Sequence, residues 1–216
     1  MAAPSLPAIS SLPTADEETI KSVLDTLFEP SPEIHALAIP AIQQRRRIPA
    51  NPGLTADLSA PIPSSVSIPD TTPFTSYAAL IQHVGTLLHQ LAISSSSSSP
   101  SPAAREKLHG ILGSHPRLGA KKVDSAQSRA EQAQLNAGGA GATDEAERLA
   151  ALNQEYEARF PGLRYVVFVN GRGRDVVMED MRRRIDRGDI RAEEREGIQA
   201  MVDIALDRAK KLSATS

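Results

Sequence analysis

Tyr77-Ala78-Ala79-Leu80-Ile81-Gln82-His83-Val84-Gly85-Thr86-Leu87-Leu88-His89-Gln90-Leu91 decides how this chain folds. Tyr77, Leu80, Ile81, Val84, Leu87, Leu88 and Leu91 recur at helical spacing and fall on one side, while His83 and His89 lie off that stripe on the solvated face. The same period returns on both sides of this run. Ile20, Val23, Leu24, Leu27 and Phe28 form a stripe behind Thr14-Ala15-Asp16-Glu17, read as a capping box that opens the helix at Thr14. Ser31-Pro32 has the form of an N-cap followed by proline in the first turn, ahead of Ile34, Leu37, Ala38 and Ala41, with Pro40 expected to kink or end that helix early. Ser101-Pro102 repeats the signal before Leu108, Ile111 and Leu112, and Gly113 suits the position after the helix end. Later helices are predicted from Ser128, from Thr143 (with Leu149, Leu152, Tyr156 and Phe160 facing inward), from Asp175 (Val176, Val177, Met181, Ile185) and through Ile198, Met201, Val202, Ala205 and Leu212. Tyr165 to Val169 is short and lacks a partner strand, so extended backbone is expected there. The sum is an all-α bundle in a single domain.

Punctuation sets the organisation. Residues 1–13 read as a flexible tail, 14–212 as the helical domain and 213–216 as a second tail. Two stretches inside the domain read as loop insertions: the proline- and serine-rich 45–72, and 94–101 with its run of six serines. A chain of 216 residues with net charge −2 and pI near 6.2 carries no basic footprint for a nucleic acid. The absence of cysteine excludes disulfides, thiolate chemistry and Cys-based zinc sites. No apolar run approaches the length of a membrane span, and Met1 to Pro13 lacks the form of a secretory signal. Ser213-Ala214-Thr215-Ser216 is not a Ser-Lys-Leu address, so cytoplasm is the expected compartment and peroxisome the alternative.

Chemistry concentrates in two short segments. Ser114-His115-Pro116-Arg117-Leu118-Gly119 puts an imidazole between a helix end and a proline that stiffens its backbone, and imidazole is the side chain most easily poised to move a proton near neutral pH. Thirteen residues after His115, Ser128-Arg129-Ala130-Glu131-Gln132 supplies a hydroxyl, a carboxylate and an amide. Ser128 and Glu131 also fit a local capping box, whereas a functional Glu131 turns toward a pocket and Gln132 offers a donor and an acceptor to a ureido group. Arg208 falls on the apolar face of the last helix, where it needs either an anionic ligand or an internal Asp or Glu. Arg182, Arg183, Arg184 and Arg187 read as a solvated helix face, and Gly171-Arg172-Gly173-Arg174 as a turn.

Five motifs in order carry a resemblance: Phe28-Glu29-Pro30-Ser31-Pro32, His115-Pro116-Arg117-Leu118-Gly119, Ser128-Arg129-Ala130-Glu131-Gln132, Leu152-Asn153 with Tyr156 and Phe160, and Ile204 to Arg208. Together they resemble the 2-oxo-4-hydroxy-4-carboxy-5-ureidoimidazoline (OHCU) decarboxylase family of urate and purine degradation. Arg117 stands where that family frequently has Asp, and 160–165 differs from its usual stretch. The resemblance implies an all-α fold, no cofactor, and a small-molecule ureide decarboxylated to (S)-allantoin. It names His115 as catalytic acid beside Glu131. It surrounds the substrate with Pro116, Ser128, Arg129, Ala130, Gln132, the backbone of Tyr165, Val166, Val167, Phe168 and Val169, and Arg208. The family is commonly dimeric, which admits a homodimer here without fixing it. Two other functions stay open at this point: a non-catalytic interaction module built on that bundle, and a lyase or hydrolase of a related ureide. Convergence of His115, Glu131 and Arg208 on one concave pocket separates them.

Overall fold

The computed structural model describes residues 6–45, 73–96, 101–119, 127–130 and 142–214. The described elements are a 3-10 helix (Ile9–Thr14), α1 (Glu17–Phe28), α2 (Pro32–Gln43), α3 (Tyr77–Ser96), α4 (Pro102–Gly113), a helical turn at 127–130, α5 (Ala142–Arg159), α6 (Arg174–Arg187) and α7 (Ile190–Ala214). No strand occurs among the described residues, so the all-α expectation holds. No helix among them is long and apolar enough to cross a membrane.

The stripe at 77–91 is the centre of the packing. Leu80, Ile81, Val84 and Leu88 are buried, and α3 lies along α7, with α4 on its other flank and α1 also against α7. Gly85 permits that approach, since a Cβ there would stand 2.8 Å from Cγ2 of Val202. α5 packs against α6, and α2 bridges α1 and α4.

Several local expectations are corrected. The N-cap of α1 is Asp16, whose carboxylate accepts from the Thr19 amide at 2.7 Å; Thr14 instead closes the 3-10 helix by donating to the Ser11 carbonyl. That 3-10 helix belongs to the packed body, because Leu12, within the stretch read as a tail, is fully buried. Pro40 neither ends nor breaks α2: it and Ala36 lie on the exposed face, where water can satisfy the carbonyl left without a donor. α3 continues into the serine run as far as Ser96, with the Ser95 hydroxyl donating to the Ala92 carbonyl at 2.9 Å; 97–100 and 46–72 lie outside the described residues. Gly113 is the last residue of α4 rather than the one beyond it, and its lack of a side chain answers the Gly162 carbonyl, 2.9 Å from where a Cβ would sit. α5 starts at Ala142, ahead of the predicted cap Thr143, and α6 starts at Arg174 after Gly173. Val176 is exposed while Met178 joins the buried face. His83 is not a free surface imidazole, since its ring packs against Phe74 at 5.5 Å.

The Ser31-Pro32 and Ser101-Pro102 caps form as expected, accepting from the amides of Ile34 (3.3 Å) and Ala104 (3.2 Å).

Candidate functional site

His115 is delivered by the end of α4. Ser114 turns the chain there, its amide and hydroxyl both donating to the Ile111 carbonyl, at 3.2 and 2.7 Å. The His115 carbonyl then accepts from Nη1 of Arg164 at 2.9 Å, so the residue is held from both sides. His115 is 5% exposed, and its Nε2 is buried with no hydrogen-bond partner among the described residues. An unsatisfied buried nitrogen is costly, and it marks where a ligand or water would be gained.

His115 borders a hollow of about 50 Å³. Pro116 and Leu118 line it beside His115, Ser128 comes from the helical turn, Ile204 from α7, and Tyr165, Val166, Val167 and Val169 from the extended chain. Wider grooves exist on the surface, one of about 770 Å³ between Glu33, Arg105 and His109. That groove is open and away from His115; the small hollow is where the unpartnered imidazole lies.

Behind Ser128 stands a buried ion pair. The Ser128 hydroxyl donates to Oε1 of Glu29 at 2.6 Å, and Nη2 of Arg208 reaches the same oxygen at 2.7 Å and the Ser128 Oγ at 3.0 Å. Nη1 of Arg208 donates to the carbonyls of Thr26 (3.3 Å) and Leu27 (3.4 Å). A cation therefore sits on the carbonyl end of α1, where the helix dipole favours one. Glu29, the C-cap of α1, takes φ +74°, a backbone strain accepted to turn its carboxylate inward.

Burial pushes the His115 imidazole down from 6.5 to about 4; Glu29 pulls against that shift, while Arg208 and Arg164 add to it. Burial would raise Glu29, but the charge of Arg208 and the hydrogen bonds from Ser128 and Arg208 outweigh it and hold the carboxyl below its ordinary range. At neutral pH the site thus holds a neutral imidazole beside an ion pair. Between about pH 6.5 and 4 the unfolded chain binds a proton at His115 that the folded chain does not, so stability is present above this window and lost as pH falls through it. Thermal melts should therefore show Tm dropping from pH 7 to 4.5, with His115→Asn dropping less; equal slopes for the two proteins would contradict the buried neutral imidazole. Glu29 adds its own loss only below about 4.5.

The family model for OHCU decarboxylase matches residues 13–210. The chain belongs to the OHCU decarboxylase family. No curated protein and no solved structure matches it. As a member of that family it is a carboxy-lyase of urate degradation acting on a small molecule.

In this decarboxylase, His115, Pro116, Ser128, Tyr165, Val166, Val167 and Val169, all named from sequence, border one hollow. Phe168 lines a different hollow on the outer side of the extended chain, and Arg129 and Ala130 are exposed on the helical turn. Arg208 is buried one layer behind Ser128, its guanidinium committed to Glu29, the internal carboxylate that sequence reasoning allowed for. Glu131 and Gln132 lie outside the described residues. Among the described residues no group of three or more His, Cys, Asp or Glu is placed to hold a metal ion.

Two participants were not singled out. In the sequence Glu29 stands out only within the Phe28 to Pro32 motif; an acidic residue at the carbonyl end of a helix opposes the dipole, and that anomaly is the available signal. Arg184 corrects the reading of the arginine run as a solvated face: it is 3% exposed and ion-paired with the buried Glu193. Its position on the Val177, Met181, Ile185 stripe of α6 was the sign.

Proposed function

We propose that this decarboxylase converts OHCU to (S)-allantoin, with His115 handling the proton. The observation that carries this reading is the buried Nε2 of His115, unpartnered among the described residues, in a residue that lines the hollow. Loss of CO2 from the substrate's quaternary carbon leaves an electron pair that its own ring delocalises. The protein then has to hold the heterocycle, keep water out, and place one proton on one face. The substrate carboxylate, brought against a buried imidazole, raises its proton affinity, so the imidazole becomes charged as the anion binds. After CO2 departs, His115 gives that proton to carbon, and the fixed walls choose the face.

The other groups orient the substrate. The backbone of Val166 and Val167 lies along the ring, and Glu131 and Gln132 hold the ureido arm. Arg208 acts through the Ser128 hydroxyl it touches, because its Nη2 also holds Glu29 and its Nη1 the carbonyls of Thr26 and Leu27. A hollow of about 50 Å³ holds water rather than a ureidoimidazoline, so binding widens it. The test is to generate OHCU freshly from urate and follow it by circular dichroism with and without the protein. Accelerated appearance of a single allantoin enantiomer is the expected result; decay at the uncatalysed rate, or to racemate, would sink the reading.

A further inference from the structure

We propose that Arg184 is a positioning residue of this enzyme, clamping from outside the extended chain that forms one wall of the His115 hollow. The proposal rests on the reaction assigned above. The wall at Tyr165, Val166, Val167 and Val169 belongs to no sheet among the described residues, so its backbone groups need partners from elsewhere. Nη1 of Arg184 supplies one, donating to the Val166 carbonyl at 3.1 Å. Its guanidinium carbon also stands 4.7 Å from the centroid of the Tyr165 ring. Arg184 grips the wall at a carbonyl and at a side chain.

The clamp is itself rigid. Nε of Arg184 donates to Oε1 and Oε2 of Glu193 at 2.8 and 3.1 Å, and Nη2 also donates to Oε1. Tyr156 donates to Oε1 of Glu193 at 2.5 Å and sets its ring edge-on to Tyr165, with centroids 5.5 Å apart. The Tyr165 hydroxyl donates to Asp180 at 2.6 Å and to the Val177 carbonyl at 3.3 Å. Burial raises both phenols above their ordinary range, so both remain donors.

The geometry separates this layer from the chemistry. Arg184 borders the outer hollow of about 380 Å³, Val167 borders both hollows, and His115 borders only the inner one. The wall is one chain thick, and a shift at Val166 moves the surface against which the substrate lies. Misplacement of about 1 Å can cost on the order of 10²-fold in rate, which gives an outer clamp leverage over turnover. A lysine retains the charge opposite Glu193 but has no planar fork for Glu193, Val166 and the ring together.

Arg184→Lys is the main variant, and Tyr165→Phe, which removes the hydroxyl anchor but keeps the ring, is the second. Hydrogen exchange of the Val166 to Val169 amides should accelerate about 10-fold or more in both, with α3 amides unchanged. Per folded molecule, kcat on OHCU should fall about 10-fold, with KM changing less and the product losing enantiomeric purity. Unchanged exchange would overturn the clamp, whatever the wild-type protein does with OHCU. Faster exchange with kcat and enantiomeric purity intact would overturn the positioning role and leave a structural one. A wild-type protein inert toward OHCU would overturn the reaction and this role in it, while the exchange data still judge the clamp separately.

Discussion

His115→Ala is expected to lower turnover of OHCU by about 10²–10⁴-fold, the range for a lost proton-transfer group. The fold should survive, because Nε2 makes no hydrogen bond that the variant could break, and Arg164 holds the residue by its backbone carbonyl. What is lost besides chemistry is packing around one ring, so His115→Gln serves as a control that fills more of the space. Stopped-flow dichroism on folded variants gives the rate. Activity within a few-fold of wild type in both would remove the imidazole from the mechanism and leave the hollow as a binding surface.

The largest effect on stability is expected from breaking the Glu29–Arg208 pair. Both side chains are buried, at 4% and 2% exposure, and removing one takes the ion-pair partner at 2.7 Å from the other. Such losses run to about 3–5 kcal/mol, or roughly 6–20 °C in Tm for a chain of this size. Glu29→Ala should be the more harmful, since it also removes the acceptor that the Ser128 hydroxyl uses and the negative charge that offsets Arg208 near His115. Replacing both members with methionine should recover much of the Tm, because well-packed apolar groups often match a buried pair. Urea melts on the two single variants and the double variant measure this. Single variants that cost less than about 1 kcal/mol would show that the pair contributes little. Double-variant stability equal to the sum of the single losses would show the two residues acting independently.

How much of this was legible in the chain depends on whether the cause was local. The helix at 77–91 follows from its period alone. The Ser-Pro starts of α2 and α4 follow from caps that the chain supplies within four residues. Thr14 and Asp16 are both good capping residues two positions apart, and only the packing of Leu12 decides that the 3-10 helix takes Thr14 and α1 takes Asp16. His115 was legible because a His-Pro step after a helix end is unusual on its own terms. Arg208 was legible as an arginine on an apolar stripe, but its partner lies 179 residues away, and no local rule names Glu29. Arg184 obeys the same stripe logic, yet three consecutive arginines masked it: two point outward, and the third turns in because α7 offers Glu193 there.

The separation of Glu29 from Arg208 also bears on how the protein is made. The carbonyl end of α1 precedes the cation that caps it by 179 residues. The Glu29–Arg208 contact therefore forms only when α7 docks against α1. Contacts between such distant positions form slowly because a long loop must close first. The hollow beside Ser128 is therefore expected to assemble late, and a chain truncated within α7 should retain much of its helix content yet stay prone to proteolysis around Glu29.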